Sequence, residues 1–117
     1  MGIAGKWTIA EAELGGQKLP PQTFEKMVLE LDKTSYQLME DKVIDSGLLE
    51  VVKDTQPPAL IIAGLFGPNK GKTFQCIYRF DGEDLIMCYN LGGDGIPEKF
   101  ETTPGSLLYL VRYKRLS

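Results

Sequence analysis

Histidine is absent from the 117 residues. That removes Ser-His-Asp and Cys-His catalysis, a histidine-held haem and the zinc sites that use imidazole. Cysteine occurs only as Cys76 and Cys88, too few for a disulfide scaffold or a thiolate metal site. No apolar run approaches the roughly 20 residues of a membrane-spanning helix, and no Asn-x-Ser/Thr acceptor is present. Charge of one sign is also scarce. The net charge is −3, so no strong field draws the chain to nucleic acid or anionic lipid. No metal, cofactor, nucleic-acid partner or membrane insertion is expected. No leader peptide is expected either, because Gly5 and Trp7 already read as part of the domain. The compartment and the oligomeric state stay open.

What is present describes one domain over 1–117. The chain is long enough for one core and too short for two. Hydrophobic residues make up 43% and charged residues 25%, which is globular composition and not that of a disordered chain. Residues 1–60 hold six Lys against ten acids, and residues 61–117 hold seven basic residues against six acids. The one basic spot, Arg112, Lys114 and Arg115, reads as a solvated strand end.

Short alternating or apolar runs occupy roughly 6–13, 27–32, 35–40, 44–53, 59–66, 72–80, 84–91 and 106–115, with a weaker piece near 98–102. The breaks between them carry turn residues: Asp32-Lys33-Thr34, Glu40-Asp41-Lys42, Gly67-Pro68-Asn69-Lys70-Gly71 and Asp81-Gly82-Glu83-Asp84. One short helix is predicted near 20–26, where Pro20 and Pro21 give a start signal. Eight short strands joined by hairpins predict an all-β fold, a small eight-stranded antiparallel up-and-down barrel with that helix covering one end.

The register of one hairpin follows from its pattern. With Phe80 opposite Leu85, one face holds Phe74, Cys76, Tyr78, Phe80, Leu85, Met87, Tyr89 and Leu91. That face is wholly apolar or aromatic, and a slip of one residue would scramble it. Cys76 then points inward and Cys88 outward, so two unpaired thiols are expected.

The first strand opens Gly5-Lys6-Trp7. A Gly-x-Trp at that place in a small all-β chain resembles the lipocalin superfamily, in which Gly lets the strand bend and Trp plugs the closed end. The wider pattern adds Gly16-x-Lys18-Leu19-Pro20, Gly47, Pro58, Gly67 to Lys72, Ile77-Tyr78, Asp81-Gly82, Leu85, Cys88, Pro97, Phe100 and Arg115. It resembles, over nearly the whole chain, the uncharacterised lipocalin-like (calycin-type) domain family abundant in planctomycete bacteria. The resemblance implies the barrel and assigns no activity. It also implies an Arg of the last strand packed near Trp7; Arg115 is the candidate and Arg112 its rival. Unlike ordinary lipocalins, this chain is expected to lack a helix after the last strand, and it has no cysteine pair to tether a tail.

Two tempting motifs have plainer readings. Gly67-Pro68-Asn69-Lys70-Gly71-Lys72-Thr73 looks like a phosphate-binding loop, but Phe66 stands where the motif needs glycine, and a strand follows where it needs a helix. Asp81, Glu83 and Asp84 lack EF-hand spacing and read as a hairpin tip.

The suggestive set is aromatic: Trp7, Tyr36, Phe74, Tyr78, Phe80, Tyr89, Tyr109 and Tyr113. An eight-stranded barrel is either filled by such side chains or holds one small ligand among them. A buried Tyr hydroxyl needs a partner, so several around one lumen make polar points in an apolar cup. The expected function is binding of a small, mostly apolar molecule there. The pocket residues expected are Phe74, Tyr78, Met87 and Tyr89, with Tyr36 and Leu38 from across the lumen. Phe24 on the 20–26 segment is expected to turn toward the mouth as a lid. A ligand site of ordinary size needs roughly 300 Å³. An inward Arg112 would suggest a carboxylate ligand, and an inward Glu or Arg beside a Tyr hydroxyl would suggest an enzyme. A filled core would leave an interaction module acting through loops or a sheet edge.

Overall fold

The computed structural model describes residues 2–116. In chain order its strands are β1 (Gly5–Leu14), β2 (Gln17–Lys18), β3 (Val28–Leu31), β4 (Ser35–Glu40), β5 (Lys42–Val52), β6 (Ala59–Phe66), β7 (Thr73–Asp81), β8 (Asp84–Asn90) and β9 (Leu108–Arg115). Each pairs antiparallel with its neighbour in the order β2-β1-β3-β4-β5-β6-β7-β8-β9, and β1 also pairs with β9. That last pairing closes the sheet. Because β2 only extends the start of a return from β1, the wall is an eight-stranded antiparallel barrel.

Alternation drives the closure. In the β7–β8 hairpin Phe80 faces Leu85, Tyr78 faces Met87 and Cys76 faces Tyr89, the register that the apolar face predicts. Leu85, Met87 and Val111 of β9 join Trp7 as fully buried members of one core. β1 skips a residue between Ile9 and Glu11 against β9, and this bulge lets both Trp7 and Ala12 point inward.

Neighbouring strands run in opposite directions, so the start of β1, the β3–β4 turn, the β5–β6 loop, the β7–β8 turn and the end of β9 gather at one end. Trp7 plugs it. The indole is buried, donates from Nε1 to the Ile3 carbonyl at 2.9 Å, and lies 6.5 Å from the Phe80 ring. The Arg115 guanidinium covers it, its central carbon 4.2 Å from the ring centroid. Arg115, not Arg112, holds that place. Arg112 points outward instead, where Asp81 and Asp84 each accept from it at 2.7 Å and Glu11 stands at 3.5 Å.

One expectation needs correction, and the structure adds two features. The helix near 20–26 is a single 3₁₀ turn, Pro21–Thr23. The two prolines start it, but Phe24 is drawn into the core and Val28 must already pair with Thr8, so it cannot continue. The piece at 98–102 is not a strand. Pro97 and Pro104 bracket it, and side-chain bonds replace a ladder: Thr102 Oγ1 accepts from the Gly16 N–H at 2.8 Å and donates to Glu13. Finally, the outward face of the hairpin is not solvated throughout. The 91–107 segment lies over it, burying Ala59, Ile77 and Cys88 in a second small core with Phe100 and Leu110. Cys88 is therefore outward yet fully covered, and both cysteines are free thiols.

Candidate functional site

The remaining hollow of the barrel is a lumen of about 130 Å³. This is less than half of the roughly 300 Å³ of an ordinary ligand site, because Tyr36, Phe74, Tyr89, Tyr109 and Tyr113 all project into it. Of the residues expected there, Phe74, Met87, Tyr89, Tyr36 and Leu38 line it. Tyr78 does not: it belongs to the Trp7 end, edge-on to Phe80 at 6.4 Å, with its backbone N–H on Pro58. Phe24 does not either. It is buried in the main core and borders a trough outside the barrel. Met27, Leu38, Leu91 and Tyr109, each only partly buried, rim the lumen at the end away from Trp7.

The wall is apolar with two polar places. At one, the Tyr89 and Tyr113 hydroxyls share a hydrogen bond of 2.7 Å in which either can donate, and the Tyr89 hydroxyl also lies 3.3 Å from Met87 Sδ. Tyr89 is braced edge-on by Phe74 and stacked at a tilt on Tyr109, with centroids 6.3 Å and 5.7 Å away.

At the other stands Asp45, a residue to which sequence reasoning assigned no role. Among the described residues, Asp45 is the one buried charged side chain, 7% exposed. It pairs with inward Leu38 on β4, next to an irregularity that skips Ile44. Its Oδ2 accepts from Asn69 Nδ2 at 2.7 Å, and its Oδ1 accepts, at a long 3.5 Å, from the Tyr36 hydroxyl. Gly47 makes room for this arrangement, since a Cβ there would meet Tyr36 Cε1 at 2.7 Å and the Ala63 carbonyl at 2.2 Å. A signal was present in the sequence: Asp45, Gly47 and Leu49 share one phase of a strand whose Leu49 is apolar and inward.

Asn69 reaches Asp45 from the loop that resembles a phosphate cradle. That loop spends its donors on itself: Lys70 N–H on Gly67, Gly71 N–H on Gly64 and Lys72 N–H on Asn69, at 2.9 to 3.0 Å. It folds over the barrel end and offers these groups to no anion.

Burial governs the titrating groups. It pushes Tyr36 up to about 12, with the Asp45 charge adding to it. It raises Tyr89, Tyr109 and Tyr113 as well, and takes the Cys76 thiol up to about 12. At neutral pH these are protonated hydroxyls and a thiol, suited to donating hydrogen bonds and not to nucleophilic attack. An inward carboxylate does stand beside a Tyr hydroxyl, but it is Asp45, and it makes Tyr36 a weaker acid.

A larger hollow of about 620 Å³ lies outside the wall, bordered by residues 10–13 and 18–21, Phe24, Arg79, Ile86, Phe100, Leu110 and Arg112. It is an open trough in which Arg112 is paired with three acids and Arg79 lies against the Phe100 ring at 5.2 Å. Among the described residues no cluster of His, Cys, Asp or Glu has the makings of a metal site, and no helix is long and apolar enough to cross a membrane. The chain matches no family model, no curated protein and no solved structure.

Proposed function

We propose that the chain is a lipocalin-like barrel that binds one small, mostly apolar molecule, about the size of a single aromatic ring, in its lumen. The observation that carries this reading is a hollow of about 130 Å³ with an aromatic and aliphatic wall and a polar cluster at Asp45. Apolar protein cavities of ~150 Å³ take up benzene, so the volume sets a ceiling near that size. The family assignment draws support from Trp7 plugging one end under Arg115.

Titration of benzyl alcohol into ¹⁵N-labelled protein tests the reading. Saturable shifts at Tyr36, Gly47 and Met87 are expected, and Leu38→Trp, which fills the lumen from its rim, abolishes them. No saturable shift in the unmutated protein contradicts the reading.

A surface function is the second reading. Leu48, Leu65 and Phe66 are about half exposed on adjoining stretches of β5 and β6, where Ser46 pairs with Phe66 and Leu48 with Ala63. A sheet-edge mode is closed to the main wall because β1 pairs with β9. This reading gains if the protein ignores benzyl alcohol and loses a partner when Phe66 is changed to Ser.

A further inference from the structure

Asp45 is buried, yet it belongs to no ion pair among the described residues. Among the described residues, no Lys or Arg lines the lumen. Lys70, next to Asn69 in the covering loop, is exposed. The carboxylate instead receives two neutral donors, the Asn69 amide at 2.7 Å and the Tyr36 hydroxyl at 3.5 Å. Two carboxylate oxygens have about four acceptor sites, so acceptor capacity remains unused. A charge held away from water without a counter-charge is costly, and a cation that entered the lumen would relieve that cost.

The rest of the wall suits the same guest. Tyr36, Phe74, Tyr89 and Tyr109 present ring surface to the hollow. Aromatic faces attract cations within about 6 Å and discriminate against anions. Acid plus rings, with no base among the lining residues, selects by sign of charge as well as by size.

We infer that the ligand class of the lumen is a small organic amine: a protonated nitrogen on a single ring or short alkyl body, its ammonium on Asp45 and its apolar part against the rings. The inference rests on the lumen reading above and adds the ligand's charge to it. Asn69 and Tyr36 position the carboxylate; Asp45 is the group that touches the ammonium.

The test compares benzylammonium, benzyl alcohol and benzoate at about pH 7 by calorimetric titration, in the unmutated chain and in Asp45→Asn. These probes share the benzene ring and differ in charge. The expected order is benzylammonium over benzyl alcohol by about tenfold, the worth of one charge-assisted contact, with no measurable benzoate binding. Asp45→Asn is expected to erase the amine preference. Because the preference is read first in the unmutated chain, the test stands even if Asp45→Asn folds poorly. Equal binding of amine and alcohol in the unmutated chain overturns the amine assignment and leaves the lumen reading intact. An amine preference that survives in folded Asp45→Asn also overturns the assignment. Binding of none of the three overturns both.

Discussion

The guanidinium of Arg115 lies over the face of Trp7 at 4.2 Å while donating to the Ala4 and Gly2 carbonyls at 3.1 and 3.4 Å. One side chain thus ties the end of the last strand to the chain entering the first, just where the barrel closes on itself. Trp7→Ala removes a fully buried ring and is expected to cost about 3–5 kcal/mol. Arg115→Ala leaves the indole core intact and is expected to cost only about 0.5–1 kcal/mol. Urea unfolding of the two variants and of the double variant checks both figures. Coupling between them near zero would remove the contact from the account of closure.

Gly47 is the second pressure point. A Cβ at that position meets the Ala63 carbonyl at 2.2 Å and the Tyr36 ring at 2.7 Å, distances that force one of them to move. Gly47→Ala is therefore expected to lose about 1–3 kcal/mol, the usual cost of overpacking. It is also expected to displace the Tyr36 ring from Asp45. Thermal unfolding gives the first effect and the Tyr36 ring resonances give the second. A variant as stable as the parent contradicts the packing described around Asp45.

Alkaline pH is expected to weaken the fold. Burial raises Tyr36 from 10.0 and Cys76 from 9.0 to about 12 in each case, and raises Tyr89, Tyr109 and Tyr113 too. For a group raised on folding, the stabilising contribution is complete below its unfolded value and is lost as pH climbs toward its folded value. The window runs from about pH 9, where Cys76 begins, to about pH 12, the upper end for Cys76 and Tyr36. The urea midpoint is expected to hold up to about pH 8.5 and to fall beyond it. Phenolate absorbance from the buried tyrosines is expected to appear only with unfolding. A midpoint unchanged up to about pH 11 contradicts the burial assigned to these groups.

The two thiols are expected to report on different openings. Cys76 sits in the main core, whereas Cys88 lies beneath the irregular 91–107 segment with Phe100 and Leu110. Segments without ladder bonds open at lower free energy than a barrel core. Cys88 is expected to react with a thiol reagent faster than Cys76 and with weaker dependence on urea, and Phe100→Ala is expected to accelerate Cys88 alone. Equal labelling rates for the two would show that the segment does not open separately.

The eight strands of the wall were legible because each alternates or runs apolar between strong turn residues, while the two-residue β2 was not, and the β7–β8 register followed from a single all-apolar face. Arg115 was legible only through a resemblance; nothing in its own neighbourhood separates it from Arg112, and closure decided the matter. The cover over Cys88 was not legible, since a loop with Pro97 and Pro104 shows no periodicity that would say which surface it lies on. Asp45 escaped notice for a related reason. A lone acid in a strand ordinarily faces water, and its phase with Gly47 and Leu49 gains meaning only once a glycine counts as an inward position. The size of the lumen depends on how far five rings reach across it, which strand patterns do not encode.

The most direct test of the lumen is to find where a small guest sits. In protein labelled at its methyl groups, intermolecular nuclear Overhauser effects from bound benzyl alcohol are expected at Leu49, Ile62 and Met87, which face the hollow from β5, β6 and β8. Effects confined to Ile86 and Leu110, which border the outer trough, would place the guest outside the barrel and contradict a binding lumen.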